Sequence, residues 1–360
     1  MQALPSVKAS RRLKAVRKLR VGLSAWDVQT AIWLNENSMQ APIFCSYIIP
    51  TIGRSTLERS VMSVLEQDIH QADFEVIVVN DSGRSLPKAD WQDSPRVTII
   101  NTNRRERSFA RNCGAAVAKG AYLAFLDDDD WLLPGALRSF WHLACQEKEA
   151  AWLYGGIRIV DEQGKILAEI NSGLSGNRFA QIMGGAWAPI QASMIETRSF
   201  FLVGGFSPFI CGTEDEDLCR RIAYHGEIAN TSAVVACLFR GPSWNSSTNY
   251  LRATEDTKSS RDLILARSDS YRRLLASAES SYWYGRICRV YLSTVTWNLR
   301  HKRLFTAFSR LLFALAGAFQ SARHVLTGEF WQGLKADHVP GTLHFVMQAY
   351  ERERAGKPKG

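Results

Sequence analysis

Short apolar runs that alternate with helical patterns limit the fold of this 360-residue chain more than any other feature. The runs are rich in β-branched residues, and turn-forming residues follow them. Alternation of this kind is typical of a parallel sheet that is buried on both faces. The sequence therefore predicts an α/β fold with a mainly parallel central sheet and helices on both faces. The predicted strands are Tyr47–Ile49, Glu75–Val79, Val97–Ile100 and Ala121–Leu126, with helices predicted over Ser55–Leu65 and Ala110–Lys119.

Four consecutive aspartates, Asp127–Asp130, follow the fourth predicted strand. Neighbouring carboxylates repel one another, and their pKa values rise unless a cation lies among them. A divalent ion that also binds a substrate's phosphates would relieve the repulsion, and Asp127 and Asp129 share one face of an extended segment. The alternative is an exposed turn in which Asp130 caps a helix that begins near Pro134. Because a cap needs only one acid, the set favours a metal site.

A second acidic cluster, Thr213–Asp217, lies at the start of a predicted helix. Thr213 and Glu216 have the spacing of a capping box, and acids in a first turn suit the helix dipole. These effects leave Glu214 and Asp215 unexplained. A carboxylate at this position can act as a general base that deprotonates an attacking hydroxyl.

Polar residues near the other strand ends have two interpretations each. Asp81 follows the second strand and would bind the base or ribose of a nucleotide, or form an Asx-turn. An arginine group would face a diphosphate, or at least two of its members would form a solvated basic surface. Its members are Arg104, Arg105, Arg107 and Arg111.

Six motifs in a fixed order resemble the family 2 glycosyltransferases over roughly Cys45 to Arg240. The resemblance implies the Rossmann-like glycosyltransferase A fold. The motifs are Ile49-Pro50-Thr51, Val78-Val79-Asn80-Asp81-Ser82-Gly83, Ala110-Arg111-Asn112 with Gly114, Gly120 with Tyr122 to Asp129, Gly204-Gly205-Phe206, and Glu214-Asp215 with Asp217, Leu218 and Arg221.

The resemblance also implies roles for individual residues. The donor would be bound by Thr51, Asp81, Arg111, Asp127, Asp128 and Arg240, and Mn²⁺ or Mg²⁺ would be held by Asp129 and Asp127. Asp215 would be the catalytic base. Apart from the resemblance, we assign Glu214 and Trp187 to the acceptor, because the segment from Gly184 to Met194 would shape the acceptor site and Trp187 offers a face for a sugar ring. A tryptophan in the core is the alternative for Trp187. Where relatives often have a histidine after the basic residue, this chain has Pro242-Ser243-Trp244.

The implied function is inverting transfer of a sugar from a nucleotide diphosphate donor, with a UDP-sugar favoured. The acceptor would be a hydroxyl of a glycan or lipid-linked molecule, in cell-envelope polysaccharide synthesis. The alternatives are an inactive glycosyltransferase-like binding module, a nucleic-acid-binding protein and a nucleotidyltransferase. Intact acidic motifs argue against the first. The second lacks a recognisable motif, so no nucleic-acid partner is expected, and the third lacks a Gly-rich phosphate loop.

Charge and apolar patterning divide the chain into four predicted regions. The net charge of +9 favours acidic partners such as nucleotide phosphates or anionic lipid. A basic amphipathic extension over residues 1–42 would lie on an anionic membrane or pack on the main domain, with a transit peptide as a minor alternative. A catalytic domain over 43–258, with a Ser/Asn/Thr-rich loop over Pro242–Thr257, would precede a helical region over 259–350 and a disordered tail over 351–360.

The apolar segment Leu311–Phe319 is too short to span a bilayer, which takes ~20 residues. It would dip into a membrane interface or be buried in a helical bundle, and we favour burial. The expected location is the cytoplasm, including the inner face of the cell membrane. Seven scattered cysteines, without zinc-site spacing, indicate core residues in a reducing compartment rather than a disulfide framework.

Overall fold

Helices cover both faces of a mixed nine-stranded sheet in the part of the chain that the computed structural model describes, residues 43–69, 73–240, 250–320 and 322–335. All described residues belong to one compact unit that begins at Ile43. The predictions for residues 1–42, Pro242–Trp244 and 351–360 concern residues outside these ranges. The division at residues 258 and 259 stays a prediction.

The strands appear where the apolar runs predicted them, and additional strands follow. They are β1 (Ile43–Thr51), β2 (Phe74–Asn80), β3 (Val97–Asn101), β4 (Gly120–Phe125), β5 (Trp131–Leu132), β6 (Ala150–Asp161), β7 (Ile166–Ile170), β8 (Ser193–Glu196) and β9 (Glu227–Arg240). The helices are α1 (Leu57–Leu65), α2 (Arg107–Val117), α3 (Ala136–Gln146), α4 (Phe179–Met183), α5 (Thr197–Leu202), α6 (Glu214–His225), α7 (Tyr250–Leu265), α8 (Ser270–Ala276), α9 (Ser280–Arg300), α10 (Leu304–Gln320) and α11 (Gly328–Lys335). Two short 3-10 helices cover Asp90–Asp93 and Ile190–Ala192.

The sheet has the strand order β3-β2-β1-β4-β8-β6-β9-β5, and β7 pairs with β6. The four strands β1 to β4 are parallel to one another, as is the β6–β9 pair. Antiparallel pairing of β8, β7 and β5 makes the whole sheet mixed. The parallel half places the carboxyl ends of β1, β2 and β4 at one edge, where ligands bind in sheets of this type.

Alternating side chains of β1 enter two hydrophobic cores, one on each face of the sheet. Tyr47 and Ile49 pack with apolar residues of α1 and α3, whereas Ile48 packs with residues of α2, α4 and α6. Because successive side chains of a strand point to opposite faces, both faces need a helical cover. The predicted α/β sheet with helices on both faces is confirmed.

The helical region after β9 packs through close helix contacts. The predicted loop is wrong from Tyr250 onward, because those residues begin α7. Tertiary contacts hold this helix despite its polar composition: the carboxylate of Asp256 accepts a hydrogen bond from the Cys211 backbone nitrogen at 3.0 Å, and Glu255 pairs with Arg310 at 3.0 Å.

The favoured burial of Leu311–Phe319 is also wrong. Only Ala314 of the described side chains in this segment is buried, and Phe319 is 85% exposed. The buried positions of α10 are the small Ala307 and Ala314 together with Arg310. Because α10 packs against the rest of the chain mainly through these few positions, its larger apolar side chains lie outside the core.

Candidate active site at the carboxyl ends of the parallel strands

The predicted donor and metal residues converge at one edge of the sheet. Thr51, the last residue of β1, lies opposite Asn80 of β2, and Phe125 of β4 lies opposite Ile48 of β1. The Asp81 backbone nitrogen donates to the Thr51 carbonyl oxygen at 2.8 Å. The strand register therefore brings the aspartates that follow β2 and β4 to the same side of the fold.

Asp81 holds the loop that leads into α2. Its carboxylate accepts hydrogen bonds from the Thr102 hydroxyl at 2.7 Å and from the backbone nitrogens of Arg104 and Glu106 at 2.7 and 2.8 Å. Burial opposes its ionisation, but these donors outweigh burial and lower the pKa. The Asx-turn that was the alternative for Asp81 is formed by Asn80 instead, whose side-chain oxygen accepts a hydrogen bond from the Ser82 backbone nitrogen at 3.2 Å. Nucleoside binding by Asp81 stays a prediction.

Asp128 is buried beneath the residues that follow β1. Its carboxylate accepts a hydrogen bond from the Thr51 hydroxyl at 2.6 Å and forms an ion pair with Arg54 at 2.8 Å. The same guanidinium group reaches Asp129 at 2.9 Å. Arg54 gave no sequence signal of its own, and its position in the loop after β1 was the only clue. Through these contacts Asp128 orders the Thr51–Arg54 loop at the edge of the sheet where β1, β2 and β4 end.

Arg111 joins the two acidic clusters. It is buried, and its guanidinium group donates to Asp127 at 2.6 Å and to Glu214 at 3.0 Å. Burial opposes ionisation of Asp127, but the charge of Arg111 outweighs it and lowers the pKa of Asp127 to about 2. Gln191 donates to the other oxygen of Asp127 at 3.1 Å. Asp127 therefore stays ionised, with its position fixed from two sides.

Glu214 is also held as an anion. Burial opposes its ionisation, but Arg111 and Arg107 together lower its pKa. Its second oxygen accepts a hydrogen bond from the Gly212 backbone nitrogen at 3.0 Å. Of the arginine group, Arg111 is buried and Arg107 reaches Glu214 at 3.4 Å from an exposed position.

Asp127, Asp129 and Asp130 form a group that can hold a cation. One oxygen from each lies within 4.8 Å of the others. Burial, followed by the nearby carboxylate of Asp127, raises the pKa of Asp129. Burial also raises the pKa of Asp130, against the opposing charge of Arg240 at 3.9 Å. The arginines around the cluster therefore leave part of its negative charge uncompensated, and this donor set fits Mn²⁺ or Mg²⁺.

The interpretation of Asp130 as a helix cap is wrong. Helix α3 begins at Ala136 with Gly135 as its N-cap, whereas the Asp130 carboxylate accepts a hydrogen bond from the Phe239 backbone nitrogen at 2.9 Å. Asp130 is thus a third candidate metal ligand that sequence reasoning assigned elsewhere. Its place directly after Asp129 was a signal, but its burial between β9 and α1 could not be read locally.

Asp215 lies at the start of α6 beside Trp187. The Trp187 indole nitrogen donates to one carboxylate oxygen at 3.0 Å, and the Glu216 backbone nitrogen donates to the other at 2.9 Å. Burial, together with the neighbouring charges of Glu214 and Glu216, raises the pKa of Asp215 to about 7. A carboxylate with this pKa is basic enough to accept a proton from a hydroxyl near neutral pH.

The predicted capping box is wrong. The Thr213 side chain makes no cap hydrogen bond to α6, and Glu216 instead pairs with the buried Arg220 at 2.5 Å. A buried guanidinium needs a partner, and this requirement outweighs the local capping preference. Of this cluster, Asp215 and Glu214 therefore face the candidate site, and the half-buried Glu216 is committed to Arg220.

Two arginines from the helical region hold the segment that leads to Trp187. Arg261 of α7 donates to the Met183 carbonyl oxygen at 3.0 Å, and Arg286 of α9 donates to the Gly184 carbonyl oxygen at 3.0 Å. These contacts fix Met183 at the end of α4 and Gly184 after it, four and three residues before Trp187. The C-terminal helices therefore support the predicted acceptor side of the site.

A family comparison agrees with this geometry. Residues 46–206 match the family model described as glycosyl transferase family 2. This segment belongs to that family. The resemblance predicted from the sequence is thereby confirmed, and the matched segment contains the Asp127–Asp130 cluster, Arg111 and Trp187, whereas Asp215 and Arg240 lie beyond its end.

Two curated relatives match parts of the chain. An uncharacterized glycosyltransferase of Rickettsia bellii is 35% identical over 144 residues, which is 38% of this chain and 20% of the relative. The GalNAc(5)-diNAcBac-PP-undecaprenol beta-1,3-glucosyltransferase of Campylobacter jejuni is 29% identical over 171 residues, 43% of this chain and 54% of the relative. The chain thus spans between a fifth and about half of the length of these relatives.

A solved structure supports the fold over a larger part of the chain. The crystal structure of S. aureus TarS residues 1–349 in complex with UDP-GlcNAc superimposes with a TM-score of 0.57 and 15% sequence identity, covering 86% of this chain and 92% of that one. At this identity the likeness establishes the glycosyltransferase A type of fold.

Proposed function

We propose that this chain is a metal-dependent, inverting glycosyltransferase that uses a nucleotide diphosphate sugar, with a UDP-sugar favoured. The observation that carries the proposal is the bridge made by Arg111, which places the Asp127 cluster and the Glu214–Asp215 pair on opposite sides of one buried guanidinium group. The proposed donor-binding cluster and the proposed base would thus share one site. The UDP-GlcNAc bound to the TarS structure supports the donor class.

Asp129 and Asp127, joined by Asp130, would hold Mn²⁺ or Mg²⁺. When bound, such an ion supplies a Lewis acid that stabilises the charge of the leaving nucleotide. Thr51 and Asp81 would contact the nucleoside. Asp128 would keep the Thr51–Arg54 loop in place.

Asp215 would accept the proton of the acceptor hydroxyl as that oxygen attacks the anomeric carbon. Trp187 holds one Asp215 oxygen by its indole nitrogen, so its ring would also limit where the acceptor lies. Attack from the side opposite the leaving nucleotide inverts the anomeric centre. Because a single candidate base is placed here, inversion is the outcome that we propose.

We favour a lipid-linked glycan as acceptor, in cell-envelope polysaccharide synthesis. The support is the undecaprenol diphosphate named for the Campylobacter jejuni relative, together with the apolar and basic character of the C-terminal helices. The site is lined by carboxylates that would repel a phosphate backbone, so no nucleic-acid partner is proposed.

Donor binding and turnover by the full chain test this proposal. The purified protein is incubated with a panel of nucleotide sugars, with and without Mn²⁺, and its melting temperature is recorded. A true donor should raise the melting temperature only when the metal is present. Transfer to undecaprenol diphosphate glycans is then followed by mass spectrometry, and the product anomer by NMR.

The matched variants are Asp129→Asn and, as a control, Asp93→Asn, which changes an exposed acid in the short helix before β3. Loss of donor stabilisation in the first variant alone supports the assigned site. Stabilisation by a donor without any detectable transfer, across all acceptors and metals, would favour the inactive binding module instead.

A further inference from the structure

Helix α10 presents an apolar surface that no other described part of the chain covers. The exposed fraction ranges from 51% at Leu312 to 87% at Phe305 for its most exposed large side chains. These side chains form the α10 surface, which consists of Leu304, Phe305, Phe308, Leu312, Leu315 and Phe319. A contiguous apolar patch of this kind marks an interaction site.

The helix is held with this surface outward by contacts on its other side. Three residues, His301 to Arg303, connect α9 to α10, so the two helices run antiparallel. The rings of Tyr291 and Phe313 stack at 5.4 Å, and the buried Arg310 pairs with Glu255 of α7 at 3.0 Å. The apolar residues are therefore exposed by a fixed orientation of the helix, and do not belong to a frayed end.

Positive charge lies at both ends of the α10 surface. No acidic residue occurs between Glu279 and Glu329, whereas this stretch carries seven arginines and lysines. Arg300, Lys302 and Arg303 are exposed where α10 begins, and Arg323 is exposed beyond its end. An apolar face with a cationic border is complementary to anionic lipid, whose headgroups attract the cations while the acyl region accepts the apolar residues.

We propose that α10 docks in the interface of an anionic phospholipid bilayer. Within the described residues no helix is both long and apolar enough to cross a membrane, so α10 would lie in the plane of the surface. A second copy of this chain is a poorer occupant. A twofold interface pairs a surface with itself, and the cationic borders of two α10 surfaces would repel each other with no acids between them.

Docking would position the acceptor side of the site. Helix α9 packs along α10, and its Arg286 donates to the Gly184 carbonyl oxygen at the start of the Trp187 segment. Fourteen residues separate Arg286 from Arg300, about 21 Å at ~1.5 Å per residue of helix. Docking itself does not depend on transfer activity. Only its use in presenting a lipid-linked acceptor rests on the proposed function.

Vesicle flotation of the full chain tests the docking surface without any catalytic readout. The wild type should float with vesicles that contain phosphatidylglycerol and much less with pure phosphatidylcholine. The double variant Phe305→Ser and Phe308→Ser should bind at least tenfold more weakly. Phe209→Ser is the matched control, since Phe209 is 86% exposed but lies before α6, and it should bind as the wild type does.

Charge and location are tested separately. Arg300→Gln with Lys302→Gln should weaken binding to the anionic vesicles severalfold and reduce its sensitivity to salt. Hydrogen exchange of peptides from residues 304–319 should slow when vesicles are added.

Three results would overturn the proposal. The wild type could fail to bind anionic vesicles, or the phenylalanine variants could bind as tightly as the wild type, which would assign binding to another segment. Light scattering could also show an oligomer that the Phe305 and Phe308 changes convert to a monomer, which would make a second copy the occupant.

Discussion

Replacing Asp215 with asparagine should greatly slow sugar transfer and also remove a pH dependence from the stability of the fold. Burial and the adjacent carboxylates raise the pKa of Asp215 from 3.8 to about 7. A carboxyl group whose pKa is higher in the folded state binds more protons when the chain is folded. The contribution of Asp215 to the free energy of unfolding should therefore fall as the pH rises from about 4 to about 7.

The size of this effect follows from the pKa. Each unit of pH between the unfolded and folded values changes the free energy of unfolding by ~1.4 kcal/mol. From pH 5 to pH 7 the wild type would lose at most about 3 kcal/mol through this group. Part of the carboxylate is accessible to solvent, and its hydrogen bonds to Trp187 and Glu216 remain. We therefore expect about 1–2 kcal/mol.

The assay compares urea denaturation of the wild type and Asp215→Asn at pH 5 and pH 8, without metal or donor. Lost hydrogen bonds affect the variant equally at both pH values, so the change in the difference between the two proteins isolates the ionisation. The variant should become more stable relative to the wild type at pH 8. A difference that stays constant within about 0.5 kcal/mol would refute the buried, charge-crowded environment of Asp215.

Kinetics provide the functional half of the prediction. For the wild type kcat/KM should rise with pH up to about 7, where the Asp215 pKa lies, and then level off, because only the ionised carboxylate can accept a proton. Asp215→Asn should lower kcat by ~100- to 10,000-fold and remove the rise of kcat/KM with pH. Near-normal turnover in the variant would exclude Asp215 as the base.

Three further changes test other parts of the structure. Asp129→Asn should weaken Mn²⁺ binding at least tenfold by calorimetry, because it removes one of three clustered carboxylates, and unchanged affinity would place the metal elsewhere. Arg111→Met should destabilise the fold by about 3–5 kcal/mol in urea denaturation, because the buried Glu214 and the partly buried Asp127 lose their shared cation, and a loss below 1 kcal/mol would contradict the bridge. Gly285→Ala should cost about 1–3 kcal/mol, because an added Cβ would lie 1.9 Å from the Phe330 carbonyl oxygen. Gly328→Ala, where nothing lies within 4 Å, is the control and should leave stability nearly unchanged.

The strands of the parallel half could be predicted because their signal is local. Runs such as Glu75–Val79 combine β-branched residues with burial on both faces, and the structure extends that run only to Phe74 and Asn80. The helix over Tyr250–Leu265 was missed from Tyr250 to Thr257 for the opposite reason. Its polar composition resembles a loop, and it is held by contacts with residues far away in the sequence.

In the candidate site, too, the residues with a local sequence signal were predicted, and those held by distant contacts were not. An acidic motif at a strand end pointed to Asp127 and another at a helix start pointed to Asp215, and both positions follow from the order of the strands and helices. The partners Arg54 and Gln191 meet these clusters across 74 and 64 residues of sequence, and no local pattern marks them. The capping assignments failed for Asp130 and Glu216 because tertiary hydrogen bonds take precedence over helix-end preferences.

The hydrogen bonds from Arg261 and Arg286 to the carbonyl oxygens of Met183 and Gly184 have a consequence for engineering. With Trp187 at the proposed acceptor side, grafting its segment alone should not transfer acceptor selectivity, because the backbone before Trp187 is anchored by two arginines more than seventy residues downstream. A chimaera would need the graft and its two anchoring helices from the same donor sequence. Natural diversification of the segment would be expected to proceed in step with those helices.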